Sequence, residues 1–235
     1  METGRRVAAA GNGDVLVAGV FGGTVDFDPD DSDVFEQTAM SNYGGFVSRF
    51  DSSGDFLWVF TTISVVSGVT TDSLSNTYIS KYTTNGMASL LKFLPDGELD
   101  WGQSWNVGTQ GFAHDVDVDS DGNPYITGNF NGWIDFDPDP DAVDEHYSNN
   151  WSIDFFLSKF DTSGNFQWAR SWGAKYTDHC YSVDVQPSGI CHISGCLYSS
   201  EIDLDPGPWV DTHYNGMFGN KLAGFLIKVL DNGYW

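Results

Sequence analysis

Short runs of alternating apolar and polar residues, separated by polar turns, make up almost the whole chain. VAAAGNGDVLVAG (7–19) is one such phrase. VDVDSDGNPYITG (116–128) and VDVQPSGICHISG (183–195) repeat it, and VTTDSLSNTYISK (69–81) is a looser copy. Period-two alternation on both sides of a polar turn predicts a β-hairpin. A second phrase follows each of these: RFDSSGDFLW (49–58), KFLPDGELDW (92–101), KFDTSGNFQW (159–168) and KVLDNGYW (228–235). Each is a basic residue, an apolar one, a turn with glycine and a further strand, which in the first three copies reaches tryptophan. No segment carries a helical period.

Two hairpins per unit predict four short strands, and the units fall near 4–63, 64–105, 106–173 and 174–235. The second unit is the shortest. It lacks the stretch that joins strands two and three, which in the others reads TVDFDPDD (24–31), WIDFDPDP (133–140) and EIDLDPGP (201–208). The Asp-x-Asp-Pro core therefore belongs to an optional loop. Four-stranded units in tandem are the sequence form of β-propeller blades; a β-sandwich is the alternative, and it seldom repeats so closely. The expected fold is all-β, a propeller of four antiparallel four-stranded blades. The last phrase stops at Trp235, two positions short of the place of Trp58, and METGRR (1–6) offers no strand to complete that blade. A fragment of a longer parent chain, or a homodimer approximating an eight-bladed ring, is the expectation; a self-closed four-bladed monomer is the alternative.

The D-x-x-G-N-x-Y-x-T-G hairpin (119–128), the D-F-D-P loop and the K-F-D-x-x-G-N-F-x-W hairpin (159–168) resemble the bacterial seven-bladed β-propeller repeat family. The resemblance covers nearly the whole chain and is closest in 111–173. It implies a propeller architecture and the extracellular or cell-surface setting of large exported proteins, and it implies no activity. The second unit departs from the pattern, with no Asp-x-Asp-Pro and with Lys81 where the others have Gly19, Gly128 and Gly195.

Thirty-three acidic against ten basic residues leave a formal charge of −23. Such a surface repels nucleic acid and anionic lipid, so neither is an expected partner. No apolar run approaches the roughly 20 residues that span a bilayer, and residues 1–10 lack the apolar stretch of a secretory signal. The chain reads either as cytosolic or as a piece of a longer exported protein begun at an artificial methionine.

The recurring residues supply the candidate chemistry. Read as strand, Asp26 and Asp28 share one face, as do Asp135 and Asp137, and Asp203 and Asp205, with Pro29, Pro138 and Pro206 ending the pairing. Paired carboxylates need an offset. Calcium takes six to eight oxygen ligands and could draw on Asp30, Asp139, Asp141 and Asp211 as well; loop N–H groups or a nearby base would serve equally. DVDSDG (117–122) imitates an EF-hand start, but no glutamate occupies its twelfth position, Gly128, and the other units hold only tight turns there.

The base recurs in all four units as Arg49, Lys92, Lys159 and Lys228, which suits a structural ion pair or hydrogen bond within or between blades. Trp58, Trp101 and Trp168 suit packing between blades. The loop tryptophans Trp133, Trp151 and Trp209 could instead stack on sugar rings. Cys180, Cys191 and Cys196 match no zinc spacing; they read as buried thiols, with a Cys180–Cys196 bridge as the alternative. His114, His146 and His213 have no serine or cysteine nucleophile placed near them by any motif.

What repeats is structural, whereas catalytic sites are usually built once. The expected function is a non-catalytic binding or scaffolding module of a bacterial secreted or surface protein, with a protein or glycan partner. A lectin-like propeller using Trp133 and Trp209 is the second reading. A glycoside hydrolase using paired aspartates is the third.

Overall fold

A computed structural model describes residues 2–30, 32–108, 111–205, 207, 209–214 and 222–234. The first unit holds β1 (Glu2–Ala9), β2 (Val15–Phe21), β3 (Thr24–Asp26), β4 (Glu36–Thr38), β5 (Gly44–Phe50) and β6 (Phe56–Thr62). β1, β2, β5 and β6 form an antiparallel sheet in that order, with the small β3–β4 hairpin inserted between its second and third strands. Residues 2–6, expected to offer no strand to the last blade, begin β1 of the first: Glu2 pairs with Phe21 in that sheet. Gly4 and the adjacent Arg5 and Arg6 hide the apolar alternation there.

The second unit is the bare pattern: β7 (Val65–Thr71), β8 (Thr77–Tyr82), β9 (Met87–Phe93) and β10 (Leu99–Asn106). The third has β11 (Phe112–Val118), β12 (Pro124–Asn131), the inserted β13 (Trp133–Asp135) and β14 (Glu145–Tyr147), then β15 (Ile153–Phe160) and β16 (Phe166–Trp172). The fourth has β17 (Asp178–Val185), β18 (Cys191–Leu197), the inserted β19 (Glu201–Asp203) and β20 (Thr212–Tyr214), and β21 (Ala223–Val229). Its described sheet has three strands. Trp235 and Pro206, both singled out from the sequence, lie outside the described residues. The chain is thus all-β and made of propeller-type blades.

The blades stack in chain order, and the core is three slabs between four sheets. Leu16, Val47 and Trp58 of the first sheet meet Val66, Val69, Ile79 and Phe93 of the second. Tyr78, Leu90 and Trp105 of the second meet Val116, Ile126 and Phe156 of the third. Tyr125, Leu157 and Trp172 of the third meet Val183, Ile193 and Ile227 of the fourth. The first strands pack successively on one another, β1 on β7, β7 on β11 and β11 on β17, so they line the inner edge of the stack. Among the described residues, no strand of the first sheet packs on one of the fourth as neighbouring sheets do. Among the described residues the four blades form an open arc, consistent with the fragment or half-ring expectation.

Each blade is hooked to the next by its recurring tryptophan. Trp58 Nε1 donates to the carbonyl of Pro95, Trp101 Nε1 to that of Thr162 and Trp168 Nε1 to that of Asp231, each at 3.0 Å. All three acceptors are the same position, in the turn between the third and fourth strands of the following blade. Trp58 is buried and Trp101 and Trp168 are half-buried; full burial of an indole contributes on the order of 2–3 kcal/mol.

The recurring base acts alongside. Arg49 is fully buried, donates to Asp14 at 2.8 Å and reaches the Ser75 carbonyl of the next blade at 2.7 Å. Lys92 pairs with Asp100 at 3.0 Å and reaches the Thr162 carbonyl of the third blade at 3.1 Å. Lys159 stands 3.8 Å from Asp119 and pairs with Asp231 of the fourth blade. Lys228, on the fourth sheet, is exposed and has no ion pair among the described residues.

The turn glycine is what lets the hook close. Gly97 has φ of +90°, and a Cβ on it would stand 2.7 Å from the Trp58 ring; on Gly164 it would stand 2.7 Å from Trp101. Gly54 of the first blade has the same backbone, φ +95°, but nothing within 4 Å of such a Cβ. Gly54→Ala and Gly97→Ala therefore share a backbone cost of about 1–3 kcal/mol. Gly97→Ala adds an overpacking cost of about 1–3 kcal/mol on the indole. Urea unfolding of the two variants should show that excess for Gly97→Ala, and equal losses would refute the hook.

Candidate functional site

β3, β13 and β19 end at Asp26, Asp135 and Asp203, so Asp28, Asp137 and Asp205 do not share a strand face with them. That corrects the alternation reading. The pairs form a staircase of side-chain caps instead, since each carboxylate accepts the N–H two residues on. Asp26 Oδ1 accepts from Asp28 at 3.1 Å and from Phe35 at 2.8 Å; Asp28 Oδ1 accepts from Asp30 at 3.0 Å. Asp135 Oδ1 accepts from Asp137 at 3.2 Å and Asp144 at 2.8 Å, and Asp137 Oδ1 from Asp139 at 3.0 Å. Asp203 Oδ1 repeats this with Asp205 and Asp211, and Asp205 Oδ1 accepts from Gly207. The proline breaks strand pairing and the aspartates satisfy the N–H groups thereby released. Among the described residues, no three acidic, histidine or cysteine side chains are placed to hold one ion.

The DVDSDG stretch is a hairpin turn. Asp119 Oδ1 caps Asp121 and Asn123, while Asp117 ties neighbouring blades through Thr70 Oγ1 at 2.9 Å and the Val185 N–H at 2.8 Å. The three cysteines are buried free thiols. Cys180 is paired with Gly195 across the strands and not with Cys196, which rules out the bridge; burial pushes its thiol up to about 12. His146 does have a serine beside it, since its Nδ1 is 2.7 Å from Ser171 Oγ and its Nε2 3.5 Å from Asp144. The serine and acid sit on the opposite nitrogens from those of a serine-protease relay. His213 meets Asp211 at 3.0 Å in the matching place of the fourth unit, so this contact braces the loop hairpin.

The side chains that the repeat does not explain gather at the inner edge. Every inner strand carries one β-bulge, between Gly4 and Arg6, Val66 and Gly68, Ala113 and Asp115, and Cys180 and Ser182. The bulged residues are Arg5, Ser67, His114 and Tyr181, four different chemistries at one repeat position. Bulges re-aim side chains and recur beside functional sites. Glycine on the partner strand makes room: a Cβ on Gly128 would stand 2.1 Å from the Phe112 carbonyl.

On the third and fourth blades these residues form one cluster. Asn129, buried, directs its NH2 to His114 Nε2 at 3.0 Å and His179 Nδ1 at 2.7 Å. Its Oδ1 accepts the Cys180 N–H at 3.0 Å, which orients the amide. The His179 ring stacks on Tyr181 with centroids 5.9 Å apart, and Tyr181 Oη is 3.1 Å from Cys196 Sγ. His114 meets Tyr181 edge-on at 5.8 Å, and His179 meets Tyr198 at 6.3 Å. An open cleft of about 410 Å³ is lined by Tyr176, Thr177, His179 and Tyr198. Neither the bulges nor the cluster was foreseen; Gly19, Gly128 and Gly195 were the available signal, since glycine inside a strand marks close backbone approach.

An amide NH2 can only donate, so both imidazole nitrogens facing Asn129 must be unprotonated. Burial drives His114 down to about 4, helped by the charges of His179 and Arg6. Burial also lowers His179, against Asp178, which raises it.

No family model and no curated protein sequence matches the chain. Among solved structures, it is similar to a protein of unknown function from Bacteroides caccae, with a TM-score of 0.48 at 10% identity over 98% of this chain. The chain spans 62% of that protein's length. It is also similar to virginiamycin B lyase from Staphylococcus aureus, with a TM-score of 0.35 at 10% identity, covering 95% of this chain and 84% of that one. A selenomethionine-substituted form of that lyase gives the same TM-score and identity over 94% and 83%. The propeller assignment stands on the sheets and their stacking.

A histidine whose folded pKa lies below its unfolded value of about 6.5 stabilises fully above that value and loses stability as pH falls. For His114 the loss runs from about 6.5 down to about 4, at no more than about 1.4 kcal/mol per pH unit. Asp154, raised by burial to about 6, works in the opposite sense over part of that window. Asn129→Asp isolates the cluster, because its carboxylate accepts imidazole protons. Titration by NMR should show His114 and His179 moving up in that variant, and unmoved pKa values would break the assignment.

Proposed function

We propose that the chain is a non-catalytic binding module, a propeller-type scaffold that takes a protein or glycan ligand at the inner edge of its third and fourth blades. One observation carries the reading. Apart from Lys228, the recurring polar side chains are engaged in blade hooks and loop caps, while non-recurring ones converge on an open, aromatic cleft. Stacking faces and neutral imidazoles suit a sugar ring or an aromatic or cationic peptide side chain. The net charge of −23 disfavours polyanions. Among the described residues, the cleft lining contains no carboxylate, which favours binding over glycoside hydrolysis. The resemblance of the repeats to the bacterial seven-bladed family supports a secreted or cell-surface setting.

A second reading has its own observation. Trp133 and Trp209 are 51% and 77% exposed on the loop hairpins, where an indole face can stack on a sugar ring. Glycan and peptide arrays separate the two. With the inner cleft as the site, Tyr198→Ala lowers affinity about tenfold or more, as loss of a central aromatic contact does, and Trp133→Ala and Trp209→Ala leave it unchanged. The reverse pattern promotes the loops, and turnover of a polysaccharide would overturn the non-catalytic reading.

Calcium at the Asp26/Asp28, Asp135/Asp137 and Asp203/Asp205 loops belongs to the same proposal as a separate question. Each of these six aspartates makes its cap through Oδ1, so Oδ2 is the oxygen a cation would draw on. A ligand of the folded state raises the melting temperature. A melting curve identical in calcium and in chelator, with silent calorimetry, leaves these aspartates as caps alone.

A further inference from the structure

The two ends of the blade stack are opposite halves of one interface. On the face each blade turns towards its successor, the residue two before the recurring base is buried in the first three blades: Val47, Leu90 and Leu157. The same position in the fourth is Leu226, which is 71% exposed. On the face turned towards the preceding blade, Val69, Val116 and Val183 are buried, and their equivalent in the first, Val7, is 71% exposed. Val17 on that face is half-buried, whereas Ile79, Ile126 and Ile193 are fully buried.

The polar parts are divided in the same way. The fourth blade presents the base that accompanies the hook. Lys228 is exposed and lies across from His192, which stands where Tyr78 and Tyr125 reach into the following blades. The first blade presents acceptors. Ser52 occupies the position of Pro95, Thr162 and Asp231, is exposed, and follows the carboxylate of Asp51. Gly54 beside it has the empty space that Trp58 fills over Gly97.

We propose that these faces bind each other between two copies of this chain, head to tail. The Val7 face of one copy covers the Leu226 face of its partner, and Lys228 meets the Asp51–Ser52 turn. Among the described residues, this repeats the apolar and basic parts of the blade interface that each copy already makes three times, without the indole. Two copies joined at both ends make an eight-bladed ring, within the range that propellers adopt. Such a contact is heterologous, since the two surfaces differ.

Sedimentation of the 235-residue chain over a concentration series should give a mass rising from 25.8 kDa to twice that value. Val7→Asp and Leu226→Asp change exposed side chains, so each should stay folded and each should remain monomeric. Mixing the two variants restores one joint, because each supplies the face that the other has lost, and a one-to-one dimer returns. A monomer at every concentration overturns the proposal and leaves the faces to blades of another protein. So does a dimer that Leu226→Asp leaves intact, or a mixture that stays monomeric.

Discussion

The hydrogen bond from a fourth-strand indole to a carbonyl in the next blade's turn is the contact on which the architecture depends. A four-stranded sheet with apolar residues on both faces cannot stand alone in water, and it must be covered twice. The indole ties the outer part of one sheet to the turn of the next, and the base does so nearby on the third strand. Between them the apolar slab closes. Trp58, Trp101 and Trp168 make this contact with the same geometry although their loops differ in length and sequence. The second blade, which has no inserted hairpin, is held in the same manner as its neighbours.

This division explains why acids are so abundant without forming a metal cluster among the described residues. A propeller blade needs many tight turns, and an aspartate at the start of a turn accepts the N–H groups that the turn leaves unpaired. Asp51, Asp72, Asp119 and Asp161 each accept N–H groups two and four residues on. The loop aspartates do the same in series. Asp30 shows the effect electrostatically, as the Ser32 N–H and hydroxyl hold its carboxyl below the usual range. The inner edge is governed by different forces. There the bulged strands carry half-buried imidazoles and an exposed tyrosine around a buried amide on the neighbouring strand, and none of these repeats from blade to blade.

Much of the scaffold was legible because it depends on short-range pattern. Alternation around a glycine turn specified the hairpins, and recurrence of RFDSSGDFLW and its relatives specified the blade. The absence of Asp-x-Asp-Pro from the second unit placed that motif in an insertion. What was not legible depends on three-dimensional neighbours. Asp28 looks like a strand residue until Pro29 and the cap made by Asp26 end the strand two residues earlier. Arg5 and His114 look like ordinary strand positions, because a bulge shows only once the partner strand is in register. Ser171 and His146 are 25 residues apart and meet only when the inserted hairpin folds against the fourth strand. The pairing of Cys180 with Gly195 follows from the same bulge, which shifts the register that alternation alone suggests.

If the hooks between blades hold the molecule together, protection should follow the number of covered faces, as in repeat proteins with nearest-neighbour coupling. Native-state hydrogen exchange of the monomeric Leu226→Asp chain tests this directly. The account predicts the slowest exchange in β8, β9, β12 and β15, whose sheets are covered on both sides, and faster exchange in β2, β5, β18 and β21. Equal protection in all four sheets, or the greatest protection in the first, would contradict it.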